Sequence, residues 1–319
     1  MLVSAGGMAV YDAESNVFNL LLPRFGDLGM PRNRERLMST WLRTKMFAVS
    51  GLDSKQINAR ILDECRNYGD FLRIVMEEIA LGQNVHRWAE CTPAHVLYLR
   101  EINRSIPRAL FIHIIRDGRD VALSLDKQKW VRSFWWDKRR SLVAPALYWQ
   151  WMVKRGKDYG RILGSSYMEV RYEELVREPR RVLAEVGRFI DHDLDYDRIL
   201  RTGMGSVSKP NTSFEPSQKS EFSPIGRWKN LLAPQDLAVL EGLIGDVLLE
   251  LGYPLATESN RLSSKQVNLS LTRMLYDLRY DFKQWIKTRT RLNEFWHREV
   301  PPLAPFSAAG RVPPNFKKT

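Results

Sequence analysis

In the segment IHIIRDGRDVALSL, Arg116 stands directly after an apolar run and Ser124 follows eight positions later. A guanidinium presents a planar fork of donors that matches the oxygens of a phosphate. A hydroxyl in the first turns of a helix adds a donor where the peptide dipoles already favour an anion. The same two residues could instead be an arginine paired to Asp117 or Asp120 and a serine facing solvent. Two further segments set aromatic rings beside charge. In YMEVRYEELVREPRRVL, Tyr172 could stack on an aromatic base or cap the core. In IGRWKNLL, the run Gly226-Arg227-Trp228-Lys229 puts two cations next to a flat ring. That run could clasp a phosphate, or Trp228 could anchor a loop.

Positioning these groups needs a scaffold, and the pattern supplies one. Residues 109–115, ALFIHII, are a short apolar run rich in β-branched residues, which predicts a strand buried on both faces of a parallel sheet. A polar turn and a helix over VALSL follow, giving the strand–turn–helix unit whose carboxyl end hosts ligands in open α/β sheets. Residues 85–90 and 166–171 are the other strand candidates, and all three are expected to be neighbours in one sheet. Helices are expected over 32–49, 54–66, 69–81, 94–104, about 143–163, 180–190 behind Pro179, and 234–251. Residues 204–224, rich in Ser, Pro, Gly and Lys, read as a loop. The opening MLVSAGGMAVYDAESNVF reads as the tail of a helix, a Gly6-Gly7 turn and a short apolar segment, with no recognisable first strand.

With 319 residues, 44% of them hydrophobic, the chain can bury a sizeable core. Its net charge of +12 favours an anionic partner. Cys65 and Cys91 offer neither a disulfide framework nor a metal spacing, so no metal is expected. No signal peptide or membrane span is visible, and a cytoplasmic location follows as the expectation. The last 59 residues carry twelve Lys or Arg against four Asp or Glu. There Val267, Leu271, Met274, Leu275, Leu278, Phe282 and Trp285 recur at helical spacing. Such a helix either packs on the domain or lies, over 261–298, on an anionic membrane surface or partner. The organisation expected is an α/β domain over 1–258, a basic amphipathic helical extension over 259–300 and a disordered tail over 301–319.

Together, in this order and spacing, the three segments resemble the sulfotransferase superfamily, in particular its bacterial, carbohydrate and tyrosyl-protein branch, over residues 1–255. The resemblance implies a three-layer P-loop-NTPase-like α/β fold with a mostly parallel sheet. It implies 3′-phosphoadenosine 5′-phosphosulfate (PAPS) as donor, leaving adenosine 3′,5′-bisphosphate (PAP), with a small-molecule, glycan or peptide acceptor. It assigns the 3′-phosphate to Arg116 and Ser124, the neighbourhood of the adenine to Tyr172-Glu173-Glu174-Leu175, and the closing loop to Gly226, Arg227, Trp228 and Lys229. It also assigns a catalytic base, which AVYDAESNVF supplies as Glu14, with Asp12 as the competing carboxylate. Two departures stand out. Where the family often carries a Lys, this chain has Cys91 in Glu90-Cys91-Thr92-Pro93, so His95 or a cation from elsewhere would have to substitute. The family's first strand and its Ser-Gly-Thr-rich phosphosulfate loop are missing from the sequence as written, and little turnover is expected without that clamp.

Other classes fit less well. A phosphoryl-transferring P-loop enzyme needs Gly-x-x-x-x-Gly-Lys-Ser/Thr, which is absent. The alternative is a noncatalytic basic protein that binds a membrane surface or nucleic acid. No nucleic-acid motif supports the second partner, and nucleic acid is not expected.

Overall fold

The computed structural model describes residues 1–202, 224–257, 263–290 and 303. The chain divides into two compact units, one built on Gly7–Pro107 and the other on Met1–Gly6 with Arg108–Thr288.

The first unit is helical apart from one pair of strands. β1 (Met8–Ala9) runs parallel to β2 (Arg87–Trp88), with Met8 opposite Arg87. The Gln83 amide extends this pairing by accepting from Val10 N–H and donating to Val10 O, both at 2.8 Å. A wide turn at Val17–Leu21 leads into α1 (Leu22–Phe25), α2 (Pro31–Trp41), α3 (Lys45–Ala48), α4 (Ser54–Glu64), α5 (Tyr68–Gly82) and α6 (Leu99–Ser105). The starts of these helices are written in the sequence. Pro31 opens α2, Asp53 accepts from Gln56 N–H ahead of α4, and Asn67 with Asp70 forms a reciprocal capping box on α5. Trp41 anchors the core, edge-on to Phe47 and Phe71, with Leu37, Met38, Ile57 and Ile61 buried in the same unit.

In the second unit, β3 (Phe111–Ile115) and β4 (Tyr167–Arg171) pair in parallel, in register from Phe111 with Tyr167 to Ile115 with Arg171. Around them run α7 (Gly118–Gln128), α8 (Val143–Leu163), α9 (Tyr172–Arg177), α10 (Pro179–Ile190), α11 (Tyr196–Thr202), α12 (Trp228–Leu231), α13 (Pro234–Glu250) and α14 (Ser263–Arg289). Trp149 and Trp151 sit on α8, both buried.

The chain is thus a helix-rich α/β protein with small parallel sheets, and three expectations change. The strand expected at 85–90 does not join the other two: the described residues hold two separate two-stranded sheets, and β2 pairs with β1. The three-layer sheet is accordingly not seen among the described residues. β3 is not buried on both faces, because Ile114 is 53% exposed and β4 is its one partner among the described residues. The third change concerns α14. It packs on its own unit, but through tyrosines rather than the apolar stripe. Tyr276 OH donates to Asp137 Oδ2 and accepts from Phe134 N–H, both at 3.0 Å, and Tyr280 OH donates to Ala144 O at 2.8 Å. Leu271, Met274, Leu275, Leu278, Phe282 and Trp285 face outward and are exposed. The expected loop at 204–224, Pro224 aside, and tail at 301–319, Leu303 aside, lie outside the described residues.

Candidate functional site

The turn between β3 and α7, Arg116-Asp117-Gly118-Arg119-Asp120, ties the three sequence segments together. Asp117 caps α7 by accepting from Arg119 N–H at 2.9 Å. Its own N–H donates to Glu173 Oε1 at 2.8 Å, and the other oxygen of Glu173 accepts from Tyr253 OH at 2.8 Å. The turn is thereby fixed to the start of α9, where Tyr172 lies. Trp149 on α8 braces it from another side, donating Nε1–H to Arg116 O at 3.1 Å. A Cβ on Gly118 would stand 2.5 Å from the Trp149 ring, so only glycine fits under that brace.

Asp120 makes the second tie. Its carboxylate is fully buried and accepts from Gly226 N–H at 2.8 Å and Trp228 N–H at 2.9 Å. The Gly226-Arg227-Trp228 loop is therefore clamped on a residue more than a hundred positions earlier in the chain. Gly226 has φ +70°, a left-handed conformation that favours glycine. Trp228 is buried. Its Nε1–H donates to Asp117 Oδ2 at 3.1 Å, and the Arg119 guanidinium lies 3.8 Å over its ring. This is the anchoring geometry for Trp228. Lys229 is exposed, its ammonium 5.7 Å from the same ring.

Arg119 is 1% exposed and fully engaged. It forks onto Asp117 at 2.8 and 3.0 Å, pairs with Glu241 at 2.5 Å and donates to Pro254 O at 3.0 Å. Burial works against its charge, but the bonds to Asp117 and Glu241 outweigh that and raise its pKa. Arg116, three residues earlier, is a different case. One terminal nitrogen donates to Pro224 O at 2.6 Å and lies a long 3.4 Å from Asp120. The guanidinium stands 4.8 Å over the Tyr172 ring, while its buried Nε–H has no acceptor among the described residues. Arg227 lies in the field of this group: burial and then the charge of Arg116 lower its pKa, against the pull of Asp120 and Tyr172. Two neighbouring guanidiniums whose charges oppose each other, one with an unused buried donor, form an arrangement that an anion would complete. Ser124 lies about two turns along α7 and is half-buried.

Glu14 lies in the first unit, next to a second polar cluster. Glu90, largely buried, accepts from Ser15 N–H at 3.2 Å, from Ser15 OH at 2.7 Å, from Thr92 OH and from His95 Nδ1–H at 3.0 Å. Burial alone would push Glu90 up; the bonds from His95, Thr92 and Ser15 more than offset it and hold it down to about 2. His95 Nε2 accepts from Phe18 N–H at 3.3 Å, so both ring nitrogens are engaged within the unit. Glu14 is exposed and has the opposite tendency to Glu90: partial burial and the Glu90 charge raise its pKa, with His95 pulling it down. Cys91, at the lysine's place, has its thiol pushed up by burial and by both glutamates.

The second unit thus brings together Arg116, Tyr172, Gly226, Arg227 and Trp228. Arg119 and Tyr253, which the sequence reading does not name, and Asp120 and Glu173, which it gives other roles, hold them. The one local signal was the charge density of Arg-Asp-Gly-Arg-Asp, in which the aspartates had been weighed only as partners for Arg116. Among the described residues no group of His, Cys, Asp or Glu could hold a metal ion.

Comparisons with known proteins agree with this arrangement at the level of fold. The sulfotransferase domain from the curacin biosynthetic pathway superposes with a TM-score of 0.50, 14% identity, and coverage of 80% of this chain and 92% of that one. The sulfotransferase domain of the Synechococcus PCC 7002 olefin synthase gives 0.47, 16%, 75% and 86%. On the first of these, the helix-rich α/β fold with its small parallel sheets resembles that of a sulfotransferase domain. Residues 14–196, more than half of the chain, match the sulfotransferase family, and the chain belongs to that family. No curated protein sequence matches it.

Proposed function

We propose that this protein transfers a sulfuryl group from PAPS to a hydroxyl or amine of a small-molecule, glycan or peptide acceptor. The observation that carries the reading is the Arg116 guanidinium, with a buried donor that no described residue accepts and a second guanidinium, Arg227, in its field. The 3′-phosphate of the nucleotide is the ligand whose charge suits that pair, with Ser124 adding a hydroxyl from α7. The Tyr172 ring, under Arg116, offers a flat surface near the base. Asp120 and Trp228 hold the loop that places Arg227 and Lys229, rather than touching the ligand. The donor supplies an activated sulfuryl group. This chain's part is to hold the nucleotide and to accept the acceptor's proton, a role the family resemblance gives to Glu14. Burial and the Glu90 charge raise the pKa of that carboxylate, which makes it a stronger proton acceptor.

Ligand binding tests this without requiring turnover. Adenosine 3′,5′-bisphosphate should raise the unfolding temperature of the full chain well above any effect of adenosine 5′-phosphate. Equal shifts from the two, as a general anion-binding protein would give, would overturn the reading.

A further inference from the structure

The apolar stripe of α14 is turned away from the unit on which the helix packs. Leu271, Met274, Leu275, Leu278, Phe282 and Trp285 recur at intervals of three and four and span about 21 Å of one helix face. All six are exposed, whereas Tyr276 and Tyr280 on the opposite side are buried and hydrogen-bonded. A row of large apolar side chains on the outside of a folded unit needs an occupant.

A second surface lies along one flank of the same helix. Arg279 stands 4.6 Å over the Phe134 ring, Phe134 stacks on Trp136 at 4.4 Å, and Trp136 meets Trp135 edge-on at 5.4 Å. Trp135 is 75% and Trp136 53% exposed. Cations gather on this flank: burial and the charges of Arg279 and Arg132 hold the Lys283 ammonium below its usual range. The carboxylates of the described part of the helix, Asp277 and Asp281, fall on the other flank at 100° per residue. Asp281 is moreover bound to Arg155 and to Trp151 Nε1–H.

We infer that this face seats the protein on an anionic lipid bilayer, with the α14 stripe among the acyl chains, Trp135 and Trp136 at the headgroup level, and Arg132, Arg279 and Lys283 on the lipid phosphates. Aliphatic depth, tryptophans at the edge and a cationic rim are the features of helices that lie in a membrane interface. Among the described residues no helix is long and apolar enough to cross a membrane, so the helix would lie on the surface rather than span. A second copy is the less suitable occupant, because pairing through this face brings like-charged clusters together on chains that each carry +12. The inference does not depend on the nucleotide reading.

Flotation of the full chain with vesicles tests it. The protein should rise with phosphatidylserine–phosphatidylcholine vesicles, stay behind with phosphatidylcholine alone, and release as salt is added. Phe282→Ser with Trp285→Ser, and separately Arg132→Glu with Lys283→Glu, should each cut the bound fraction about tenfold or more. These side chains are exposed, so both variants should unfold at the wild-type temperature. The proposal fails if wild type floats no better with the anionic vesicles than with none, or if the variants float like wild type. It fails equally if sedimentation shows a dimer that the Phe282→Ser, Trp285→Ser variant dissociates while vesicles are ignored.

Discussion

Each unit of this protein holds a locked charge and an open one of the same kind, close together. In the second unit Arg119 is locked by Asp117 and Glu241, whereas Arg116 has a buried donor without an acceptor among the described residues. In the first, Glu90 is locked by four donors, whereas Glu14 is exposed and carries no such set. In the first unit the ionisation follows the contrast: the charged form is favoured at Glu90 and disfavoured at Glu14. A charge whose partners are all protein holds the fold, and a charge left under-compensated is available to a ligand or a proton.

The hardest break is at the locked arginine. Arg119→Ala leaves Asp117 and Glu241 buried without their cation and should cost about 3–5 kcal/mol, read as a fall in chemical unfolding stability with no ligand present. The locked glutamate comes next. Its folded pKa of about 2 lies below the value of an unfolded glutamate, so its contribution is present above about pH 4.5 and is lost as pH falls towards 2. That contribution is on the order of 3 kcal/mol, and the Glu90→Gln variant should show a flatter stability profile across this acid window.

The open arginine should behave in the opposite way. Arg116→Ala should cost the free protein clearly less than Arg119→Ala, since it loses one bond to Pro224 O and a long contact with Asp120, yet weaken adenosine 3′,5′-bisphosphate by about 2–3 kcal/mol, measured by calorimetry. Ser124→Ala should cost about 1 kcal/mol in the same titration and nothing in stability. An Arg116→Ala variant that unfolds as readily as Arg119→Ala would erase the distinction.

Much of the scaffold was legible beforehand. The α8 range of 143–163 was read correctly, and the strands at 109–115 and 166–171 were right to within two residues, because apolar runs and long amphipathic periods are local signals. β1 and β2 were not foreseen as partners. Two-residue strands carry no periodicity, and their pairing joins residues about eighty positions apart. α14 was found, but its facing was not. Tyr276 and Tyr280 bury their rings only because Asp137 and Ala144 O take their hydroxyls, and that depends on partners outside the helix. In the site, Arg116, Tyr172 and the Gly226–Trp228 run were visible as residue types. Asp120, which holds that run through bonds spanning 106 and 108 positions, could not be read from spacing.

The most direct measurement is a pair of calorimetric titrations, adenosine 3′,5′-bisphosphate and adenosine 5′-phosphate, each into wild type and Arg116→Ala. The account expects wild type to prefer the bisphosphate by about tenfold or more and the variant, still folded, to lose that preference. A preference that survives the substitution undiminished would contradict it.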